Sequence, residues 1–567
     1  MSTNSALLAD LAERYWQFEC REMPLTAALA GKPTPDAVLF KESQTDHERR
    51  NRDATQLLDE LKALSVEGLS PQERATVRLL ERELGSIREN FEVQAHLRPS
   101  LLPLGPDFLA VYWANSTNFP DRASVELYIA RLESIPRYLR DVQANIAFAQ
   151  ALGIRIPRAV LDGAVANSRN IYGMQGDASP WLGPFRRMPT SLQAVVSPLA
   201  QQARDLVQSS IQPALSGWAA FLAGLEADES LSCAQGPQGD AYYRMLVRYF
   251  CNGEVAPEEV HALGLQEVQR IQGEMHQVAE QAGYKDDLAG YRAFLTSDPQ
   301  FVARDSASLL MAMESLCKRI DKRIPTFFAR IPRATYGVDS IPIAMSAELP
   351  PAYAQPSPAD GSGPGIFWVS GLPEKCPSYI HAAMALHEAW PGHLMHMALM
   401  NEQADLPTFR RCGAAKYTAC IEGWALYCET LGVEMGMYAT PHAHYGRLEM
   451  EMWRAARLVV DTGIHLHHWS RSKAIDFMAS HLTLSRATIE SEVDRYASLP
   501  AQALGYQIGN LKLRELRRRA EEKLGVNFSH RRLHEAVMSA GAVTLPVLED
   551  LVATWLDAEA AGLQAAH

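Results

Sequence analysis

Apolar residues return every three to four positions over most of the chain. The pattern is clear between Leu7 and Phe18 and again between Leu127 and Val142, where the apolar side chains share one face of a helix with 3.6 residues per turn. No internal repeat accompanies it. The periodicity therefore predicts a mainly α protein.

Turn-forming residues interrupt this pattern in four segments, at residues 97–107, 173–189, 234–240 and 350–364. Gly, Pro, Asn and Asp cluster in such segments because they favour turns. A chain of 567 residues is long enough for two domains or for one large helical body with subdomains. We place the preferred boundary in the third segment, which predicts an N-terminal helical subdomain at 1–235 and a catalytic helical subdomain at 236–567.

The helical pattern fails between Arg333 and Pro377. Residues 340–345 and 365–370 resemble two short strands on either side of a Gly/Pro loop, which predicts a small β-sheet just before the helix that carries the chemistry. An edge strand beside an active site can pair with an extended peptide. Residues 366–370, which include Phe367 and Trp368, are therefore candidates for substrate binding; the alternative is a hairpin that only caps the core.

The charge balance argues against nucleic acid as a partner. The chain has 54 Lys and Arg against 66 Asp and Glu, a net charge of −12 and a pI near 5.8, whereas phosphate-binding surfaces are basic. The one basic run, residues 513–523, alternates with glutamates and is typical of a solvated helix face with i,i+4 pairs.

The chain shows no feature of a membrane or secreted protein. Asp10 and Glu13 interrupt the only apolar stretch near the N-terminus, and no segment is long and uncharged enough to cross a bilayer. The eight cysteines lie far apart without a CxxC pair, so neither a disulfide framework nor a cysteine zinc site is indicated. We expect a cytoplasmic protein without membrane partners; the oligomeric state is left open.

The candidate chemistry lies in a predicted helix at residues 378–400, which contains the sequence HEAWPGH from His387 to His393. In the common H-E-x-x-H zinc motif, residues four apart place both imidazoles on one metal and the glutamate acts as base. Here the second histidine follows at i+6, about 120° around and about 9 Å along a straight helix. That separation is too large for a shared ion.

Pro391 and Gly392 remove this difficulty. Proline deletes a backbone donor and clashes with the preceding turn, and glycine accepts unusual dihedral angles, so the pair can form a bulge that returns His393 to the side of His387. His396 lies on the opposite face in a regular helix, and we interpret it as a supporting or core residue.

A third ligand is expected from the next predicted helix, at residues 414–433. The turn between the two helices centres near Pro407; His393 lies 14 residues before it and Glu422 lies 15 after it. An antiparallel hairpin therefore sets His393 beside Glu422. Glu429 is placed to support His387 by a hydrogen bond.

Two imidazoles, one carboxylate and an open position suit a catalytic zinc ion, with one ion expected per chain. Zinc activates water and polarises a carbonyl, and the adjacent Glu388 would act as general base. For the oxyanion donor, Tyr506 is the first candidate and His465 the second. Arg457 could bind a substrate carboxylate, although its i,i+4 neighbour Asp461 allows a structural ion pair instead.

At these residues the chain resembles the family of metallopeptidase-like proteins called domain of unknown function 885. Its hallmark reads approximately HEAYPGHHLQ followed by EGWALYAE; here the corresponding stretches are HEAWPGHLMH, from residue 387, and EGWALYCE, from residue 422. The resemblance continues at residues 457–465 and 502–509. Leu394 and His396 replace the His and Gln common in the family, which leaves the predicted ligands unchanged but alters the surroundings of the site.

The resemblance implies a mostly helical, zincin-like fold, distantly similar to carboxypeptidase Taq and thimet oligopeptidase, with two histidines and one glutamate on zinc. We therefore expect a zinc-dependent hydrolase of peptide or amide bonds in small substrates. The alternative is a metal-dependent binding protein, or one that rearranges a peptide-like metabolite in the same pocket. Glu388 argues against binding alone, because a binding site needs no base beside the metal.

Overall fold

The fold is known from a computed structural model, which describes residues 3–24, 27, 36–346, 349–359, 361 and 363–566. Helices hold 71% of the chain, so the prediction of a mainly α protein with a small sheet is confirmed.

The α-helices in chain order are α1 (Thr3–Glu22), α2 (Gln44–Lys62), α3 (Pro71–Glu92), α4 (Pro106–Ser116), α5 (Arg122–Ala151), α6 (Arg158–Gly173), α7 (Gly183–Arg187), α8 (Thr190–Leu206), α9 (Gln212–Ala223), α10 (Gly239–Cys251), α11 (Pro257–Gln281), α12 (Leu288–Ser297), α13 (Ser306–Asp321), α14 (Ile324–Phe327), α15 (Ile343–Ser346), α16 (His381–Glu388), α17 (His393–Asn401), α18 (Thr408–Cys412), α19 (Thr418–Leu431), α20 (Pro441–His465), α21 (Arg471–His481), α22 (Arg486–Ser498), α23 (Gly505–Leu524), α24 (His530–Met538) and α25 (Leu545–Ala566). A π-helical segment, Val207–Ile211, joins α8 to α9. Single 3-10 turns lie at Ala95–Leu97, Gly176–Ala178, Pro180–Leu182, Pro299–Phe301, Pro373–Lys375, Ser378–Ile380, Ala414–Lys416, Gln502–Leu504 and Gly525–Asn527.

Two helix pairs form the centre of the molecule. Helix α20 packs along α11, and α19 packs along α23. Every residue of α20 from Tyr445 to His465 is buried, so this helix runs through the interior and not along a surface. A helix enclosed on all sides has no solvated face for polar side chains, and each charged residue on α20 therefore needs a partner.

The strands form two small sheets. Strands β1 (Ile156–Pro157) and β2 (Ala227–Asp228) pair in parallel. The second sheet has the order β3–β5–β4, in which the central strand β5 (Gly365–Val369) runs parallel to β3 (Tyr336–Ser340) and antiparallel to β4 (Ala352–Gln355). Strand β4 contacts α16, and both β4 and β5 contact α17. The predicted sheet next to the chemical helix is thus present.

Three details of that prediction are wrong. Residues 340–345 are not a strand, because β3 ends at Ser340 and α15 follows. Strand β4 lies within the segment predicted as a Gly/Pro loop. Residues 366–370 do not form an edge strand, since β5 pairs on both sides and its backbone groups are already used; among the described strands of this sheet, β3 and β4 are the edges.

Candidate metal centre

The predicted chemical helix is broken in the middle. Helix α16 ends at Glu388 and α17 begins at His393, and the turn between them contains a cis peptide bond at Trp390–Pro391. The Pro391 carbonyl accepts a hydrogen bond of 2.9 Å from the Trp424 indole nitrogen on α19. The expected bulge is therefore a full interruption, and it has the predicted effect of returning His393 to the side of His387.

Gly392 is required by a close approach of backbone. A Cβ atom at this position would lie 1.9 Å from the carbonyl oxygen of His387, well inside any tolerable contact. Only glycine lets the chain fold back this tightly, so the Pro-Gly pair fixes the distance between the two histidines.

His387, His393 and Glu422 converge, as the hairpin argument predicts. Their potential ligand atoms all lie within 4.8 Å of one another. The Glu422 Oε2 atom is 3.4 Å from His387 Nε2 and 3.2 Å from His393 Nε2. Both imidazoles are buried, and the Glu422 side chain keeps 20% of its surface exposed, so a small ligand can reach the cluster.

Glu429 orients the first histidine. Its Oε1 atom lies 2.8 Å from His387 Nδ1, which leaves the Nε2 lone pair directed toward Glu422. The Glu429 carboxylate is 1% exposed, and the guanidinium of Arg454 lies 3.7 Å from its Oε1. The sequence indicated Glu429 but gave no signal for Arg454, since an arginine on a buried helix has no motif of its own.

These residues fit a zinc ion. Zinc–nitrogen and zinc–oxygen bonds of about 2.0–2.1 Å in a tetrahedral site separate neighbouring ligand atoms by about 3.4 Å, close to the two distances from Glu422. Burial alone would lower the pKa of His387, but its hydrogen bonds to Glu422 and Glu429 outweigh burial and raise that pKa to about 9. Burial likewise opposes ionisation of Glu422, yet His393 and His387 hold its pKa well below the usual range. The cluster thus favours a bound cation.

Glu388 stands beside this cluster as a half-buried side chain. Burial raises its pKa, and the neighbouring His387, His393 and Arg454 oppose that rise while Glu422 adds to it. A carboxyl with a raised pKa is suited to accepting and returning a proton near neutrality. The structure places Glu388 next to the ligands without including it in the three-residue cluster.

The two candidate oxyanion donors differ in their surroundings. Tyr506 is half-buried in the first turn of α23, and burial, together with Glu422, raises its pKa. His465 is fully buried; its Nδ1 lies 3.1 Å from the Cys233 amide and its Nε2 3.0 Å from the Tyr496 carbonyl. It also follows Arg454 by 11 residues, about 16 Å along α20. Of the two, Tyr506 is the one that interacts electrostatically with Glu422, and its helix touches α19 where Gly509 meets Gly423.

Arg457 and Asp461 do not pair with each other in the structure. Arg457 donates to Glu492 at 2.9 Å and to the Tyr496 hydroxyl at 3.2 Å. Asp461 accepts from the Tyr243 hydroxyl at 2.7 Å and from the Ala501 amide at 2.9 Å. The structural ion pair of Arg457 therefore exists with a different partner, Glu492, which the sequence did not indicate.

The remaining candidates are mainly core residues. Phe367 is fully buried in β5, whereas Trp368 is half-buried and donates to the Gln355 side chain at 2.9 Å. His396 is buried beside Trp424, with ring centroids 5.6 Å apart, and burial lowers its pKa to about 3. His396 is thus a neutral core residue, one of the two interpretations given above.

The sequence profile of the family described as "Bacterial protein of unknown function (DUF885)" matches residues 24–552. No curated protein matches the chain. Of the solved structures, the "putative lipoprotein from Colwellia psychrerythraea" superposes with a TM-score of 0.89 at 25% identity, over 98% of this chain and 100% of that one.

A "putative lipoprotein of unknown function from Shewanella oneidensis" has the same fold, with a TM-score of 0.73 at 17% identity over 97% of this chain and 100% of that one. Among the described residues, no helix is both long enough and apolar enough to span a membrane. The cytoplasmic location inferred from the sequence stays a prediction.

Proposed function

The chain belongs to the DUF885 family of bacterial proteins, whose function is unknown, and we propose that it is a zinc-dependent hydrolase of peptide or amide bonds in small substrates. The observation that carries the proposal is that the potential ligand atoms of His387, His393 and Glu422 lie within 4.8 Å of one another, next to a half-buried Glu388. We also propose that the fold is related to that of the zincin peptidases.

His387, His393 and Glu422 would hold the ion, with Glu429 fixing the ring of His387 through Nδ1. A zinc ion held there supplies Lewis-acid activation of water and of the substrate carbonyl. The Glu388 carboxylate accepts the proton of the attacking water and returns it to the leaving nitrogen. The Tyr506 hydroxyl donates a hydrogen bond to the carbonyl oxygen as negative charge develops on it.

The strand proposed to bind an extended substrate is β4, and not β5 as the sequence suggested. Strand β4 is an edge of its sheet among the described strands, and it packs directly on α16. A peptide that adds to the free edge of β4 would lie alongside the helix that carries His387 and Glu388, with main-chain hydrogen bonds giving affinity.

The test measures zinc content and turnover on the same preparation, with a panel of dipeptides and N-acylated amino acids. Glu388→Gln keeps the shape of the side chain but removes the base, so zinc stays near one per chain while kcat falls by about 10²–10⁴-fold. Glu402→Gln, a carboxyl that accepts from the Arg333 amide at 2.7 Å, is the matched control and keeps both.

Three results oppose the proposal. Loss of zinc in Glu388→Gln makes this residue structural, and full turnover with zinc retained removes it as the base. A wild-type chain that binds zinc and the substrate but leaves it unconverted favours the binding alternative.

A further inference from the structure

The guanidinium of Arg457 is enclosed on almost every side. Its carbon lies 4.8 Å from the centroid of the Trp453 ring and 4.6 Å from that of the Tyr506 ring. Two of its nitrogens have partners: Nη2 donates to Glu492 and Nε donates to the Tyr496 hydroxyl. The residue is 5% exposed, so it offers a ligand almost no accessible surface.

The enclosure leaves a surplus of positive charge next to Tyr506. Glu492 is the carboxylate that pairs with both Arg457 and Arg495, at 2.9 and 3.0 Å. Among the described residues, Nη1 of Arg457 is a buried donor without a hydrogen-bond partner. The network therefore holds the guanidinium rigidly without cancelling its charge.

A cation next to an aromatic ring is attracted to its π-electrons. It also makes the phenol a stronger hydrogen-bond donor, because the positive charge stabilises negative charge on the phenol oxygen. After burial, the groups with the largest effect on Tyr506 are Glu422, Arg457, Arg495 and Gln502. Burial and Glu422 raise the pKa of Tyr506, and the two arginines oppose that rise.

We propose that Arg457 is a positioning residue that fixes the Tyr506 ring at the metal centre and strengthens its hydroxyl as a donor to the developing oxyanion. This inference rests on the proposed hydrolase function. It replaces the direct binding of a substrate carboxylate, which was one of the two roles that the sequence allowed for Arg457.

The first test follows the ionisation of Tyr506 by absorbance near 295 nm. Subtracting the titration of Tyr506→Phe from that of the parent isolates one tyrosine. We expect Arg457→Met to move the Tyr506 midpoint upward, and Arg457→Lys, which keeps the charge, to move it less. Arg471→Met, which removes an arginine paired with Asp494, is the control and leaves the midpoint in place. An unchanged midpoint in Arg457→Met overturns the inference.

The second test is a double-mutant cycle on kcat in zinc-loaded chains. Removing an oxyanion donor typically lowers kcat by about 10²–10³-fold. Arg457→Met keeps the Tyr506 hydroxyl but weakens it as a donor, so we expect kcat to fall by about tenfold. In a Tyr506→Phe background the same change should cost less than about twofold. Equal losses in both backgrounds overturn the inference, as does a rise in KM confined to substrates with a free carboxylate.

The two tests separate this inference from the proposed function. If the wild-type chain binds no zinc and hydrolyses nothing in the panel, the hydrolase proposal fails, while the absorbance titration still decides whether Arg457 acts on Tyr506.

Discussion

At the scale of single residues, the candidate site depends on how buried polar groups are paired. Glu429 is buried and its Oε1 is within hydrogen-bond distance of the ring nitrogen of His387 that does not face Glu422. A carboxylate in this place holds the ring orientation and makes the other nitrogen a better ligand. Glu429 is therefore as much part of the candidate site as the three predicted ligands.

Glu429→Gln should weaken zinc binding by about 10–100-fold, the usual cost of losing such a supporting carboxylate. The amide keeps the size of the side chain but carries no charge. Competition with a chromophoric chelator measures the effect. Glu449→Gln is the matched control, because Glu449 is equally buried but bonds Thr483 and none of the predicted ligands. Equal affinity in both variants would contradict the role of Glu429.

Asp461 predicts a pH dependence of stability. Burial raises its pKa from 3.8 to about 7, against the hydrogen bonds from Tyr243 and Ala501, which lower it. Because the pKa of Asp461 is higher in the folded chain than in the unfolded chain, its contribution to the free energy of unfolding is fully present below about pH 4. This contribution is lost as the pH rises through about 7, and the loss amounts to about 4 kcal/mol.

The measurement compares the free energy of unfolding of the wild-type chain with that of Asp461→Asn between pH 5 and 8. The asparagine stays neutral, so the difference between the two curves should shift in favour of the variant as the pH rises. Curves that stay parallel would show that Asp461 ionises at the same pH in the folded and unfolded chain.

At the scale of elements, the sequence was most informative where residue spacing sets geometry. The i+6 spacing with Pro391 and Gly392 predicted that the helix must deform, and the hairpin count placed His393 beside Glu422. Both are observed. The count succeeds because the chain on either side of Pro407 runs antiparallel: His393 lies beside Glu422, and further from the turn His387 lies beside Glu429.

Elements fixed by distant contacts could not be predicted in this way. Strand β4 forms because the backbone of residues 352–355 pairs with β5, although its own sequence resembles a loop. Arg454 and Glu492 gained their roles from α20 and α22 packing near the site, and no local pattern marks them. The same long-range pairing makes β5 central and removes it as a substrate strand.

Gly392→Ala tests the helix interruption. The added Cβ would meet the His387 carbonyl oxygen at 1.9 Å. The oxygen belongs to the backbone and the Cβ is fixed to its own Cα, so no side-chain rotation relieves the clash and α16 and α17 must move apart. Metal sites tolerate displacements of only about 0.5 Å, and we expect zinc affinity to fall by about tenfold or more. Gly217→Ala, where a Cβ meets nothing within 4 Å, should keep zinc; zinc retained in Gly392→Ala would contradict the argument.

At the scale of the whole molecule, one hydrophobic core joins the two halves of the chain. The largest cluster of buried apolar residues extends from Leu8 to Leu556 and crosses the predicted boundary at residue 235. Polar contacts cross it as well: Lys416 pairs with Glu19 at 2.6 Å and with Glu83 at 3.4 Å. The N-terminal helices α1 and α3 are thus packed into the part that carries the site.

Arg410 shows how strongly the parts are tied together. This fully buried residue of α18 donates to the Gln72 carbonyl on α3 at 3.0 Å and to the Ala540 carbonyl, which precedes α25, at 2.5 Å. Removing the guanidinium would take this donor away from the carbonyl of the buried Ala540, at a cost of about 1–3 kcal/mol. A residue with partners in both halves stabilises the packing of one half against the other, and does not stabilise either half by itself.

We therefore predict that the chain unfolds in one transition, because a continuous core cannot lose its N-terminal half without exposing apolar surface on the other. Differential scanning calorimetry should give one peak whose calorimetric and van't Hoff enthalpies agree. Arg410→Met should lower its midpoint without splitting it, and Arg244→Met, which removes a pair of Arg244 with Glu258 at the surface, should change it little. Two peaks, with residues 1–235 melting apart from 236–567, would instead support independent subdomains. They would show that the shared core contributes less to stability than the separate cores of the two halves.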